Sequence, residues 1–219
     1  MQVSKETIDI LKNFATINSN ILIRKGKTLS TMSTAKNIFA KANVAEDFPV
    51  DVPIYDLNSL LALLTFMENQ EVEFGDSSLT ISKNNGKFEY FYSALNVVVA
   101  APEKTPELDN KFEFKLALED VTMITKAAAI TSAPRISISN NDGSVSITVG
   151  DKKNATANSY KKTIGASDVD FDCHMAVENF KITPGAYTVS ISSKKAFLFK
   201  NDANSLTYLI AMEPDSKVG

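Results

Sequence analysis

Apolar positions in this 219-residue chain recur with a helical period and then an alternating one, and the whole sequence of periods occurs twice. Over residues 5–16 (KETIDILKNFAT), Ile8, Leu11, Phe14 and Ala15 follow helical spacing and predict one buried face. Ser4 is a good N-cap, and Asn18, Ser19 and Asn20 break the pattern. Short strands are predicted over 21–24 (ILIR) and 28–32 (TLSTM), joined by a hairpin turn at Lys25-Gly26-Lys27, and over 37–44. Pro49 and Pro53 place 48–54 at a sheet edge or in an extended connection, because proline donates nothing to a ladder. Asp56 then caps a helix over 56–67 with an apolar stripe of Leu57, Leu60, Leu61 and Leu64. Strands at 79–82 and 87–92 flank the hairpin signal Asn84-Asn85-Gly86.

Residues 102–110 (PEKTPELDN) combine two prolines and four charges without periodicity, and read as an exposed connector. The expected division is an N-terminal domain over 1–101, this connector, and a C-terminal domain over 111–219. The second domain starts with FEFKL (112–116) and a helix over 118–130 that answers to 5–16. RISIS and SVSITVG alternate across the turn Asn141-Asp142-Gly143. Residues 155–164 predict a polar edge strand. A short helix over 176–182 answers to 56–67 and ends at Thr183-Pro184-Gly185. In the closing meander, 186–213, Phe197, Phe199, Tyr208 and Ile210 should point inward. The expected class is α+β, duplicated and rich in antiparallel sheet.

Composition narrows the function. A net charge of −3 excludes a globally basic nucleic-acid protein but permits a local basic surface. Arginine occurs only at Arg24 and Arg135, so the cations are mostly lysines, which suit diffuse phosphate contact better than bidentate base reading. The single cysteine, Cys173, makes no intrachain disulfide. No signal segment and no run of ~20 apolar residues is visible, so a soluble, intracellular protein is expected. His174 adjoins Cys173, but neighbours on a strand face opposite ways and make a poor nucleophile–base pair. Asp168, Asp170 and Asp172 alternate, yet lack the glycine turn and terminal glutamate of a calcium loop. No phosphate-binding glycine loop or nucleophile elbow occurs. A duplicated scaffold without catalysis, cofactor or metal is the expectation.

Four segments carry a resemblance to a known family: LKNFATINSNI (11–21), IYDLN (54–58), NFKITPGAY (179–187) and LIAMEPDS (209–216). In order and spacing the chain resembles the sliding clamps of T4-type bacteriophages, the processivity factors of a replicative DNA polymerase. The resemblance implies two PCNA-like domains per subunit, with helices lining a ring and antiparallel sheets outside. It further implies a head-to-tail homotrimer around duplex DNA, in the cytoplasm of an infected bacterial host. The implied partners are the polymerase's C-terminal peptide, an ATP-driven clamp loader and late-transcription factors.

Site residues follow from that resemblance. Lys5 and Lys12 on the first helix, Lys126 on its counterpart and Lys181 on the fourth helical stretch are the candidates for facing DNA. The helix at 56–67 offers no lysine or arginine, and Ala129 stands where the family has a further basic residue. A partner-peptide pocket is expected around Val44, the connector, Tyr208, Ile210, Met212 and Pro214. Tyr208 and Ile210, by their alternation, also read as plain core residues. The subunit junction is expected between 86–96, with Glu89, Tyr90 and Phe91, and 155–164, with Tyr160, Lys161 and Lys162. A duplicated β-rich structural or assembly protein with no DNA role is the alternative at this point, and trimer formation separates the two.

Overall fold

The computed structural model describes residues 1–219 other than 68 and 155. Ala155, where the predicted polar strand begins, thus lies outside the described residues. The chain forms two compact units, Met1–Thr105 and Pro106–Gly219.

In the first unit, α1 (Lys5–Ile17) starts at Ser4, whose Oγ accepts from the Thr7 N–H at 3.2 Å. Its buried face is Thr7, Ile10, Leu11, Phe14 and Ile17. Ile8 and Ala15, expected on that face, flank it half-buried. The first two strands do not form the predicted hairpin. β1 (Ile21–Ile23) pairs with β4 (Val52–Ile54), whereas β2 (Gly26–Met32) pairs with β3 (Ile38–Phe48). The reason lies in β1 itself: all three residues are buried, which an outer hairpin arm cannot provide. Gly26, at φ 110°, marks the irregularity where the chain leaves one pairing for the other. Pro53 lies within β4 opposite Leu22, and its carbonyl accepts from the Ser93 N–H.

The second helix, α2 (Leu57–Phe66), is capped by Asp56, whose Oδ1 accepts from the Ser59 N–H, and buries the expected four leucines. A meander follows: β5 (Glu71–Phe74), β6 (Ser78–Lys83) and β7 (Gly86–Phe91). The predicted turn is present, with Asn84 and Asn85 both left-handed between the paired Lys83 and Gly86.

In the second unit, β8 (Phe112–Leu116) leads into α3 (Leu118–Thr131), which Ser132 ends in a left-handed conformation. The strands β9 (Arg135–Asn141), β10 (Ser144–Gly150), β11 (Tyr160–Ala166), β12 (Phe171–Ala176) and β16 (Lys217–Val218) form a sheet in the order β11-β10-β9-β12-β16. Asp142 and Gly143 make the predicted left-handed turn between β9 and β10. The strands β13 (Tyr187–Ser192), β14 (Ala196–Asn201) and β15 (Thr207–Ala211) continue from β8 in the order β15-β14-β13-β8. Phe197 faces Ile210 and Phe199 faces Tyr208 across β14 and β15, and all four are buried as expected.

The fourth helix is corrected. Residues 176–182 contain only one 3-10 turn, Val177–Asn179, because Ala176 still belongs to β12 and Pro184 disfavours helical conformation just before it. Lys181 therefore lies in a loop after the turn. Even so, element order repeats: a helix, four strands, a helix or helical turn, then three strands, the second unit adding β8 before its helix and β16 at its end.

Candidate functional site

Lys5 and Lys12 stand on the solvent face of α1, opposite Leu11 and Phe14, because they are seven residues and about two turns apart. Both approach one carboxylate, Asp9, which a reading of the lysines alone misses. Asp9 Oδ2 lies 2.5 Å from Lys5 Nζ, and Asp9 Oδ1 lies 3.9 Å from Lys12 Nζ. Spacing of four and three residues on one helix was the available signal. The two lysines border a groove of about 440 Å³ between α1 and the end of α2, floored by Val3, Ile8 and Leu64. Lys126 is exposed on α3 of the second unit, among exposed apolar side chains that include Met123 and Ile130. Lys181, in its loop, is half-buried.

Among the described residues, β7 and β11 each end a sheet with no strand beyond them, as do β2, β8 and β16. β7 closes the β5-β6-β7 meander, and β11 closes the five-strand sheet of the second unit. On the far side of the meander, Val72 of β5 exchanges backbone hydrogen bonds with Met1. Strand β7 shows its side chains to solvent: Phe91 is 67% exposed. Phe88 stacks edge-on against Phe66 of α2 at 6.2 Å, and Phe66 is 78% exposed. Phe66 falls off the leucine stripe of α2, which was the sequence signal for an outward aromatic. Tyr90 is tied down, its hydroxyl donating to the Asp56 carbonyl. Glu89 accepts from Ser78 Oγ at 2.9 Å.

On β11, Tyr160 is half-buried and Lys161 exposed. Lys162 donates to Asp120 Oδ1, and the other oxygen of Asp120 accepts from the Ala117 N–H at the start of α3. Lys162 is thus engaged within its own unit, whereas Lys161 is exposed.

Of the residues expected at a peptide pocket, Tyr208 and Ile210 are fully buried in the second unit. Burial pushes the Tyr208 hydroxyl well above its ordinary pKa, and it accepts from the Thr183 N–H. Met212 is buried, Val44 on β3 is half-buried, and Pro214 is exposed. The connector is held at both ends. Arg24 donates to the Ala101 carbonyl in the first unit. In the second, Asp109 accepts from Ser192 Oγ and from the N–H and Oγ of Ser193, which lowers its carboxyl to about 2.

The Cys173–His174 pair offers no nucleophile. The Cys173 thiol, buried and near the Lys217 carbonyl, is pushed up to about 12 by burial. His174 lies on the other side of the strand, its Nδ1 2.9 Å from Ser137 Oγ, and burial lowers its pKa. Asp172 pairs with Lys152 at 2.7 Å. Among the described residues, no three His, Cys, Asp or Glu side chains converge to hold a metal ion. No helix among them is long and apolar enough to cross a membrane.

Comparison with known proteins brings these features together. Residues 4–97 match the family described as DNA polymerase processivity factor, and residues 112–214 match the C-terminal part of the gp45 sliding clamp. The sliding clamp of Vibrio phage KVP40 is 32% identical, over 97% of this chain and 99% of its own. That of Escherichia phage RB69 is 30% identical, over 99% and 98%. The solved PCNA of A. fulgidus, bound to the C-terminal region of FEN-1, superposes with a TM-score of 0.70 at 12% identity over 96% of each chain. Its likeness shows the fold, a PCNA-like clamp of antiparallel sheets and helices. The chain belongs to the sliding clamps of T4-type bacteriophages, non-enzymatic processivity factors of phage DNA replication.

Proposed function

We propose that three copies of this chain close head to tail into a ring around duplex DNA and tether the replicative polymerase to it. The observation that carries this reading is the pair of open sheet edges, β7 in one unit and β11 in the other. An unpaired edge templates association with another chain. Two different edges on one molecule make a heterologous contact, which forms a ring when its rotation closes and a filament when it does not. Family membership favours closure. Phe91, Tyr90 and Glu89 of one copy meet Tyr160 and Lys161 of the next, while Phe66 and Phe88 supply apolar area beside them. The Glu89–Lys161 pair, being exposed, adds only ~0–1 kcal/mol, so burial of the aromatic side chains dominates. Light scattering should give about 72 kDa, three times the 23.9 kDa chain. A chain that stays monomeric at every concentration tested would refute the ring.

Lys5, Lys12 and Lys126 make up the inner wall in this reading, with Lys181 a weaker contributor. Phosphate contacts carry no sequence information, and a clamp that must glide requires contacts of that kind. Replacing Lys5, Lys12 and Lys126 by alanine together should weaken binding to duplex DNA and flatten its salt dependence. The slope of log K against log salt falls by ~0.9 for each phosphate that is no longer neutralised. An unchanged slope would remove these residues from the DNA face.

Partner peptides dock, in this reading, beside Pro214 at the end of the second unit, next to the connector residues 106–110. Pro214 is exposed, and the buried Met212 can repack around a ligand. Tyr208 and Ile210 lie too deep to touch a peptide and form the floor. The FEN-1 segment bound to the A. fulgidus protein supports a terminal peptide as the ligand class. The polymerase C-terminus, an ATP-driven loader and late-transcription factors are the proposed users, and the infected bacterial cytoplasm is the setting. The chain shows no glycine loop for nucleotide phosphates, so ATP hydrolysis belongs to the loader.

A further inference from the structure

The exposed face of α1 is electrically neutral, although it carries the lysines assigned to DNA. Its charges are Lys5 and Lys12 against Glu6 and Asp9, and both lysines turn toward Asp9. Lys5 is almost fully exposed, and Lys12 and Asp9 are each about half exposed, so the arrangement is a solvated triad and not a buried network. A lysine that reaches a phosphate must first leave this carboxylate. DNA and Asp9 therefore compete for the same two ammonium groups.

We infer that Asp9 limits how firmly the clamp holds DNA, acting on phosphate through Lys5 and Lys12 and never touching DNA itself. The inference rests on the proposed inner-wall role of those two lysines. The physical basis is exchange. Each exposed pair is weak, so the lysines swap between Asp9 and passing phosphates at little cost, and the net attraction stays low. A weak, uniform attraction is what sliding requires, because a deep electrostatic well at each phosphate would stop it. Asp9 is thus a positioning residue. Its effect is repeated once per subunit around the ring.

The test uses the full chain as the trimer and a fluorescein-labelled linear duplex, titrated with salt and read by fluorescence anisotropy. The Asp9→Asn variant, exposed and conservative, should keep the circular dichroism spectrum of the parent. It should bind the duplex on the order of five- to ten-fold more tightly at low salt, three copies acting together. Its salt dependence should be steeper, by up to ~0.9 for each further phosphate neutralised. The same substitution in a Lys5→Ala, Lys12→Ala background should have little effect, since nothing remains for Asp9 to tether. An equal rise in affinity in both backgrounds means simple repulsion of DNA by a carboxylate and overturns the inference, as does no rise in either when the two alanines do weaken binding. If the two alanines leave binding unchanged, the inner-wall assignment of these lysines fails first and the Asp9 inference falls with it.

Discussion

Replacing Glu46 by alanine is expected to cost about 2–4 kcal/mol of stability, because its buried carboxylate accepts two hydrogen bonds at the start of α1. Glu46 extends from β3, is 7% exposed, and accepts from the Ser4 N–H and from Thr7 Oγ1, each at 2.5 Å. Removing it leaves the buried Thr7 hydroxyl and the part-buried Ser4 N–H at a helix start without this acceptor, and a bond to a charged group is worth ~1.5–3 kcal/mol. The helix N-terminus adds its own preference for negative charge. Burial pulls the Glu46 pKa up, but the hydrogen bonds from Thr7 and Ser4 outweigh it, and the net shift is downward from 4.5. A carboxyl with a depressed folded-state pKa stabilises above its unfolded pKa, and that stability is lost as pH falls through the folded value. The difference between the parent and Glu46→Gln should therefore be full at neutral pH and shrink below about pH 4.5. Urea unfolding at several pH values measures it. A constant difference down to the acid limit would show that Glu46 acts by shape and not by charge. Because α1 bears Lys5 and Lys12, the same variant should also loosen the helix proposed to face DNA.

Exchanging Phe91 for glutamate is expected to abolish the proposed trimer at micromolar concentration while leaving the chain folded. Phe91 is largely exposed on β7, so its loss removes little from the unit's own core. At a junction, the same side chain would be buried against the neighbour, and an uncompensated carboxylate there costs several kcal/mol. Three junctions per ring multiply the penalty. Loss of the ring should abolish polymerase stimulation in a loader-dependent assay, with an unchanged melting profile for the monomer. Persistence of the trimer by light scattering would move the junction away from β7.

Much of this architecture was legible in the sequence because local chemistry and tertiary packing agree. Asn84-Asn85 and Asp142-Gly143 take left-handed conformations that few other residues tolerate, so the turns of the two hairpins are legible to within one residue. The leucine stripe of α2 and the alternation of Phe197 with Phe199 identified core faces in the same way. Three features were not legible, for separate reasons. The β1–β4 pairing joins residues some thirty apart, and a lysine-glycine turn looked like a hairpin when only local signals were weighed. The helix over 176–182 shrank to one turn because seven residues before a proline have too few bonds to offset nucleation. The sequence shows lysines without their partners, whereas the structure pairs Lys5 and Lys12 with Asp9, and Lys162 with Asp120. Charge partners on one helix can be found by spacing. A partner forty-two residues away, as Asp120 is from Lys162, cannot.

Encirclement is tested most directly by topology. The chain is loaded onto nicked circular duplex DNA by its loader, passed through a gel-filtration column in high salt, and tracked before and after one restriction cut. A closed collar stays with the circle through salt that screens every lysine contact, and leaves once the DNA has ends. A protein that washes off the intact circle, or that remains on the cut DNA, holds by surface attraction and does not surround the duplex.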